Sequence, residues 1–200
     1  MAKPSKYATQ RRRRVHDGFV KVDRVEITHD LFSGGTSPVI AKEIVGRDDA
    51  STALVRHRSR GTLVFVHQFR VAAAQHKGDP WLIELCAGKI DPGETAEQAM
   101  CRELTEETGY EALTLDAVGT FFMSPGYTTE RMHLFVIDVD GEPGDAPGDG
   151  HEDIELVEMT LEEALVAAET GRIRDAKTLL GLYWLANNPA NRSLLPSNPI

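Results

Sequence analysis

The stretch "GKIDPGETAEQAMCRELTEETGY", residues 88–110, crowds Glu103, Glu106 and Glu107 into five positions and closes on Gly109. It reads as a loop followed by a helix. Thr95 is a good N-cap residue, and Gln98, three positions on, completes a capping box. Ala96, Met100 and Leu104 recur at helical spacing as an apolar stripe. Gly109 suits the left-handed position that ends a helix. On such a helix Glu103 and Glu107 are i,i+4 neighbours and Glu106 is three residues from Glu103, so the three carboxylates converge on one face. Like charges at this spacing repel by roughly 0.2–0.5 kcal/mol per pair. A face of oxygen ligands suits a hard divalent cation, Mg²⁺ or Mn²⁺. The cation would offset the repulsion and then meet a polyanionic substrate.

Outward from this helix the chain alternates strand and turn signals. On the N-terminal side, "FVKVDRVEITHDLF" (19–32) has the period-2 pattern of a strand, "SGGTSP" (33–38) is a turn, and "VIAKEIVG" (39–46) and "STALVRH" (51–57) read as further strands. "TLVFVHQF" (62–69) is rich in strand formers, "HKGDP" (76–80) breaks the chain, and "WLIELCAG" (81–88) reads as one strand. On the C-terminal side come strand-like "LDAVGTFFM" (115–123), the turn "SPGYTTE" (124–130) and strand-like "MHLFVIDV" (132–139). A long Gly/Pro/Asp loop (140–153) precedes the strand "IELVEM". Loops of that length in compact domains tend to carry function. Thr160 and Glu163 form a second capping box for a helix that stops at Gly171, and residues 173–189 read as a last amphipathic helix. Strands and helices do not alternate regularly, which favours a mixed α+β architecture over a doubly wound sheet.

The bulk numbers bound the function. With 200 residues, 41% of them hydrophobic, the chain can build one domain with a proper core. Its net charge of −9 repels nucleic acid and anionic membranes at long range. The local exception is "QRRRR" at 10–14, which could touch RNA or a membrane; the favoured reading is a solvated basic tail over residues 1–15. Cys86 and Cys101 form no CxxC pair and a disulfide framework needs more cysteines, so a reducing compartment fits. No apolar run reaches the length of a membrane span, and the charged N-terminus has no apolar core behind it. A cytoplasmic protein without membrane or nucleic-acid partners is the expectation.

Taken alone, "EETG" would read as a solvated acidic helix face. The wider spacing argues otherwise. Gly88 is followed by five residues and Glu94, then by seven residues and Arg102-Glu103-Leu104, one residue, Glu106-Glu107, one residue, Gly109 and Tyr110. This resembles the Nudix box at every fixed position; Tyr110 departs mildly, being aromatic where an aliphatic residue is usual. Chance placement of seven fixed residues is below about one in a million at ordinary residue usage. The resemblance spans roughly residues 62–185 and implies a Nudix fold, an α/β/α sandwich with a mixed β-sheet, here over residues 61–189. The strands in 16–60 would form an added element for dimerisation or substrate contact, and 190–200 a tail. The branch commonly forms homodimers through such strands.

Within the family, "IELCAGKIDPGE" resembles the approach to the box in ADP-ribose and nucleoside diphosphate sugar pyrophosphatases. Cys86 stands where ADP-ribose pyrophosphatases usually carry Pro. Cys-Ala-Gly, with "MSPGYTTE" (123–130), looks more like the GDP-mannose hydrolases. The resemblance implies a backbone carbonyl from Ala87 as a metal ligand beside Glu103 and Glu107, with Glu106 assisting. Arg102 would orient a neighbouring carboxylate. Arg70 in "QFR" would bind diphosphate or sugar, as a guanidinium fork suits phosphate oxygens, and Glu84 would contact substrate or a partner subunit. The general base in this branch often lies on a loop, which leaves Glu130 and Glu152 as candidates. Tyr127, in a turn, is a candidate for stacking a base; for Phe121 and Phe122 core packing is the default reading. His67, His76 and His151 have no paired ligand spacing. The expected activity is Mg²⁺-dependent hydrolysis of a nucleoside diphosphate sugar. The rival readings are a non-catalytic ADP-ribose sensor and a dinucleoside polyphosphate hydrolase. Intact box glutamates and the absence of room for a winged helix after residue 189 weigh against the sensor, and "LCAGKID" weighs against the polyphosphate enzyme.

Overall fold

The computed structural model describes residues 4–145 and 153–188, which divide into two compact units. The first comprises the residues through Asp49 together with Phe122–Arg131, and the second Ala50–Phe121 with the described residues from Met132 onward.

The first unit holds a three-stranded antiparallel sheet in the order β1-β2-β3, with β1 at Tyr7–Asp17, β2 at Lys21–His29 and β3 at Ile40–Gly46. Here the structure departs from the sequence reading. The basic run expected in a flexible tail lies inside β1. That strand is exposed at all of its positions, so it has no apolar periodicity to betray it. Its anchor is an acid on the neighbouring strand. Asp23, only 5% exposed, accepts hydrogen bonds from Arg12 Nε at 2.7 Å and Arg14 Nε at 2.5 Å. Arg14 first and Arg12 second hold the Asp23 carboxyl below the usual range. The segment 122–131 joins this unit through β3, where Val45 N–H donates to the Tyr127 carbonyl at 2.7 Å.

The second unit is built on a mixed sheet in the order β10-β5-β4-β9-β8, with β6 beside β5 and β7 beside β4. The strands are β4 (Ala50–His57), β5 (Thr62–Phe69), β6 (Trp81–Glu84), β7 (Cys86–Lys89), β8 (Thr114–Phe122), β9 (Arg131–Val139) and β10 (Ile154–Met159). β4 runs parallel to β9 and antiparallel to β5 and β7. Three helices follow the same numbering: α1 (Ala96–Thr108), α2 (Leu161–Glu169) and α3 (Ala176–Ala186). Side chains alternate across the sheet. Leu54, Leu63, Phe65, Leu134 and Val136 form one apolar cluster with Ala164 and Ala167 of α2 and Leu182 and Leu185 of α3. Ala53, Val55, Val64, Val66, Phe135 and Ile137 form the other with Met100 and Leu104 of α1. The central strands are covered on both faces, which is why they read as nearly continuous apolar runs. This is an α/β/α sandwich.

Three further differences matter. The strand at 50–57, grouped with the N-terminal element on sequence, pairs inside the large sheet and is buried throughout. "WLIELCAG" is two strands with different partners, β6 on β5 and β7 on β4, separated at Leu85. Phe121 packs on the first cluster, whereas Phe122, expected in the core, is 59% exposed. Among the described residues no helix is long and apolar enough to cross a membrane.

Candidate active site

The acidic helix forms as its sequence dictates. Thr95 Oγ1 accepts from Gln98 N–H and the Gln98 side chain accepts from Thr95 N–H, closing the capping box. Gly109 ends the helix in the left-handed region at φ 71°, its N–H donating to the Thr105 carbonyl. Met100 and Leu104 are fully buried under the sheet, which turns the acids toward the helix edge. Tyr110, the mild departure from the usual pattern, is 2% exposed; its ring meets His57 edge to face and its hydroxyl accepts from Arg60 Nη1 at 3.2 Å.

The crowding of charge is answered within the chain. Arg102 donates to Glu94 at 2.9 and 3.0 Å, to Glu103 Oε1 at 2.7 Å, to Glu106 Oε2 at 3.0 Å and to the Lys89 carbonyl at 3.0 Å. These acids raise its pKa further above the ordinary arginine value. Glu107, 6% exposed, turns the other way, its Oε2 accepting from Ala87 N–H at 3.0 Å. The Glu103 carboxylate lies against Gly88. A Cβ placed there would sit 1.8 Å from Glu103 Cδ and 2.0 Å from its Oε1. Gly88 is therefore the residue that makes room for a carboxylate, which is a packing reason for a glycine at this position. Among the described residues no three acids, histidines or cysteines already stand together at ligand distance. The donor set is nevertheless hard and oxygen-rich, and the glycine cradle holds one carboxylate beside the β7 backbone. Both features fit a divalent cation.

Glu94 provides a pH test of this arrangement. Its pKa is held down to about 2, first by Arg102 and then by the Asp91 backbone N–H. The folded value lies below the unfolded one of about 4.3. The contribution to stability is therefore complete above the unfolded value and is lost as pH falls toward the folded one. Glu94→Gln should lower the melting temperature at neutral pH, and the gap to the wild type should close between about pH 4.5 and 2. Thermal melts across that range check it; a gap that stays constant to pH 2 would contradict the Arg102 pairing.

The other candidates are distributed as follows. Arg70 and Glu84 meet: Nε donates to Oε1 at 3.0 Å and Nη2 to Oε2 at 3.1 Å, a bidentate pair. Glu84 is 2% exposed and also takes the ammonium of Lys177, itself 6% exposed and bonded to Asp175 Oδ2 at 3.0 Å. Lys177 was missed on sequence. It stands 93 residues from Glu84, and nothing in "RDAKTLL" marks a buried lysine. Cys86 is 1% exposed. Burial first, then Glu107, push its thiol well above the ordinary cysteine value, so it stays protonated and inert. Glu130 and Tyr127 belong to the first unit, where Glu130 pairs with Arg47 at 3.2 Å and Tyr127 is 59% exposed. Glu152 and His151 lie outside the described residues. His67 pairs with Glu155 at 3.0 Å.

A family model described as the NUDIX domain matches residues 47–181. The chain belongs to the Nudix family. Among its Nudix relatives, the ADP-ribose pyrophosphatase of Haemophilus influenzae is 33% identical over 184 residues, covering 88% of this chain and 84% of that one. The GDP-mannose pyrophosphatase of Citrobacter koseri is 37% identical over 163 residues, covering 80% and 85%. A crystal structure of an ADP compounds hydrolase superposes with a TM-score of 0.74 over 93% of this chain and 97% of the other, at 22% sequence identity. That likeness places the fold. The Nudix match begins at residue 47, close to the division between the two units at Asp49 and Ala50.

Proposed function

We propose that this protein is a Mg²⁺-dependent hydrolase of the diphosphate bond in nucleoside diphosphate sugars, releasing a nucleoside monophosphate and a sugar phosphate. The observation that carries the reading is the pairing of the Glu103 carboxylate with the Gly88 cradle, beside Glu107 bonded to Ala87 N–H. Two relatives of different substrate, an ADP-ribose and a GDP-mannose pyrophosphatase, support the substrate class. Glu103, Glu107 and the Ala87 carbonyl would hold the cation, with Glu106 assisting. When bound, the ion supplies positive charge against the diphosphate oxygens and acidifies the attacking water. Arg102, bonded to Glu94, Glu103 and Glu106, orients these carboxylates. Arg70, oriented by its bidentate pair with Glu84 and still 36% exposed at its side chain, binds a phosphate oxygen.

A loop glutamate, Glu130 or Glu152, takes the proton from water, and Tyr127 stacks on the base. The protein works as a homodimer in the cytoplasm, with the N-terminal strands meeting a second copy. β1, exposed along its length at the edge of its sheet, is suited to that contact. GDP-mannose is the favoured substrate over ADP-ribose, on Cys86-Ala87-Gly88 and the turn 123–130. Cys86 is 1% exposed, which favours the turn over the cysteine side chain as the element that meets the sugar.

Phosphatase-coupled phosphate release from GDP-mannose, ADP-ribose, UDP-glucose and diadenosine tetraphosphate with Mg²⁺ tests this. Turnover of GDP-mannose above ADP-ribose is expected. Turnover of ADP-ribose alone would strip the Cys-Ala-Gly resemblance of substrate meaning, and tight ADP-ribose binding without turnover would favour a sensor. Glu130→Gln and Glu152→Gln in the same assay identify the base.

A further inference from the structure

We propose that Thr178, on α3, is a positioning residue for the Ala87 carbonyl; this rests on the reading above, which makes that carbonyl a metal ligand. The segment from Glu84 to Ala87 crosses from one ladder to another, β6 on β5 and then β7 on β4. Leu85, between them, lies in neither strand and is 1% exposed. A buried backbone N–H outside a ladder needs another acceptor. Thr178 Oγ1 accepts it at 2.9 Å, and Thr178 is itself fully buried. Its hydroxyl has a single proton, which it donates to Asp175 Oδ2 at 2.7 Å. With the proton committed there, the oxygen presents a lone pair to Leu85.

The neighbouring groups are held too. The Cys86 carbonyl accepts from Thr52 Oγ1 at 2.9 Å, and Ala87 N–H donates to Glu107 at 3.0 Å. A second observation places α3 hard against the same segment. A Cβ on Gly181, three residues beyond Thr178, would come within 2.9 Å of Leu85 Cδ1. The peptides leading to the Ala87 carbonyl are thus set from two helices, by Glu107 on α1 and by Thr178 on α3. Glu107 has a second duty as a cation ligand. Thr178 has none, so it supplies the fixed side of the clamp. Support of this kind commonly changes metal affinity by 10–100-fold.

The test is Mn²⁺ titrated into the full chain without substrate, with free ion read by electron paramagnetic resonance and folding by circular dichroism. The wild type should bind, and Glu107→Gln should lose binding. Thr178→Val, near-isosteric but unable to accept, should weaken binding by about tenfold, while Thr178→Ser stays within about twofold of the wild type. Thr178→Val binding like the wild type, or Thr178→Ser losing as much as the valine, would overturn the proposal. If Thr178→Val does not fold, Asp175→Asn keeps a good N-cap and removes the charge that orients the hydroxyl. Several-fold weaker binding is then expected, and unchanged binding overturns the proposal. No Mn²⁺ binding by the wild type, or undiminished binding by Glu107→Gln, would instead overturn the functional reading on which the proposal stands.

Discussion

Glu107→Gln should lower kcat for nucleoside diphosphate sugar hydrolysis by at least about a thousandfold, on the order of 4 kcal/mol of transition-state stabilisation, with little change in melting temperature. The reason lies in what the substitution preserves. Glutamine keeps the size of the side chain, and its amide oxygen can still accept from Ala87 N–H, the bond that Glu107 makes at 3.0 Å. What disappears is a negative charge on a group only 6% exposed. If that charge exists to hold a cation, activity collapses while the fold stands. Steady-state kinetics beside a thermal melt give the answer. A loss of less than tenfold would mean that Glu107 is a structural acceptor and that the ion is held elsewhere.

Gly88→Ala should separate site geometry from stability in a second way. The added methyl would overlap the Glu103 carboxylate at 1.8 Å, so one of the two must move. The atoms it meets are the far end of a flexible side chain, which swings away at small cost; the change in stability should stay within about 1 kcal/mol. The displaced carboxylate, however, is a proposed ligand, and a shift of about 1 Å in such a group can cost on the order of a hundredfold in rate. The expected result is therefore a folded, nearly inactive protein with a weakened apparent affinity for Mg²⁺. An active Gly88→Ala enzyme would remove Glu103 from the ligand set. A protein that fails to fold would show that the strand, and not the carboxylate, needs the glycine.

The parts of this protein that were legible in sequence are those whose signal is local. Thr95 with Gln98 and Thr160 with Glu163 marked helix starts because a capping box is complete within four residues. "STALVRH" and "TLVFVHQF" were legible as strands, the second because it is dense in strand formers. The placement of Glu103, Glu106 and Glu107 on one helix was legible because helical spacing is local. What was not legible depends on distant partners. β1 has no apolar face, and its anchor Asp23 sits on another strand. The change of partner at Leu85 leaves an unbroken apolar run behind it, since a residue between ladders can be as buried as one within them. Lys177 and Thr178 reach back 93 residues to Glu84 and Leu85, and no local pattern announces such a pairing. For the same reason the division at 60/61 drawn from sequence put β4 with the wrong neighbours: its pairing with β9 lies 82 residues away, as the Arg56–Asp138 contact shows.

The five hydrogen bonds of Arg102 have a consequence for how the protein comes into service. In many small metal-binding domains the ion is also the glue, and the ligands cannot gather until it arrives. Here a guanidinium already occupies the role of counter-charge among Glu94, Glu103 and Glu106. On the proposed cation site, folding and loading would be separate events. On the proposed function, the chain would fold where free magnesium is scarce and start work on arrival of the ion without rebuilding its core. Chelation should accordingly act as a reversible brake on turnover and leave the protein's lifetime untouched.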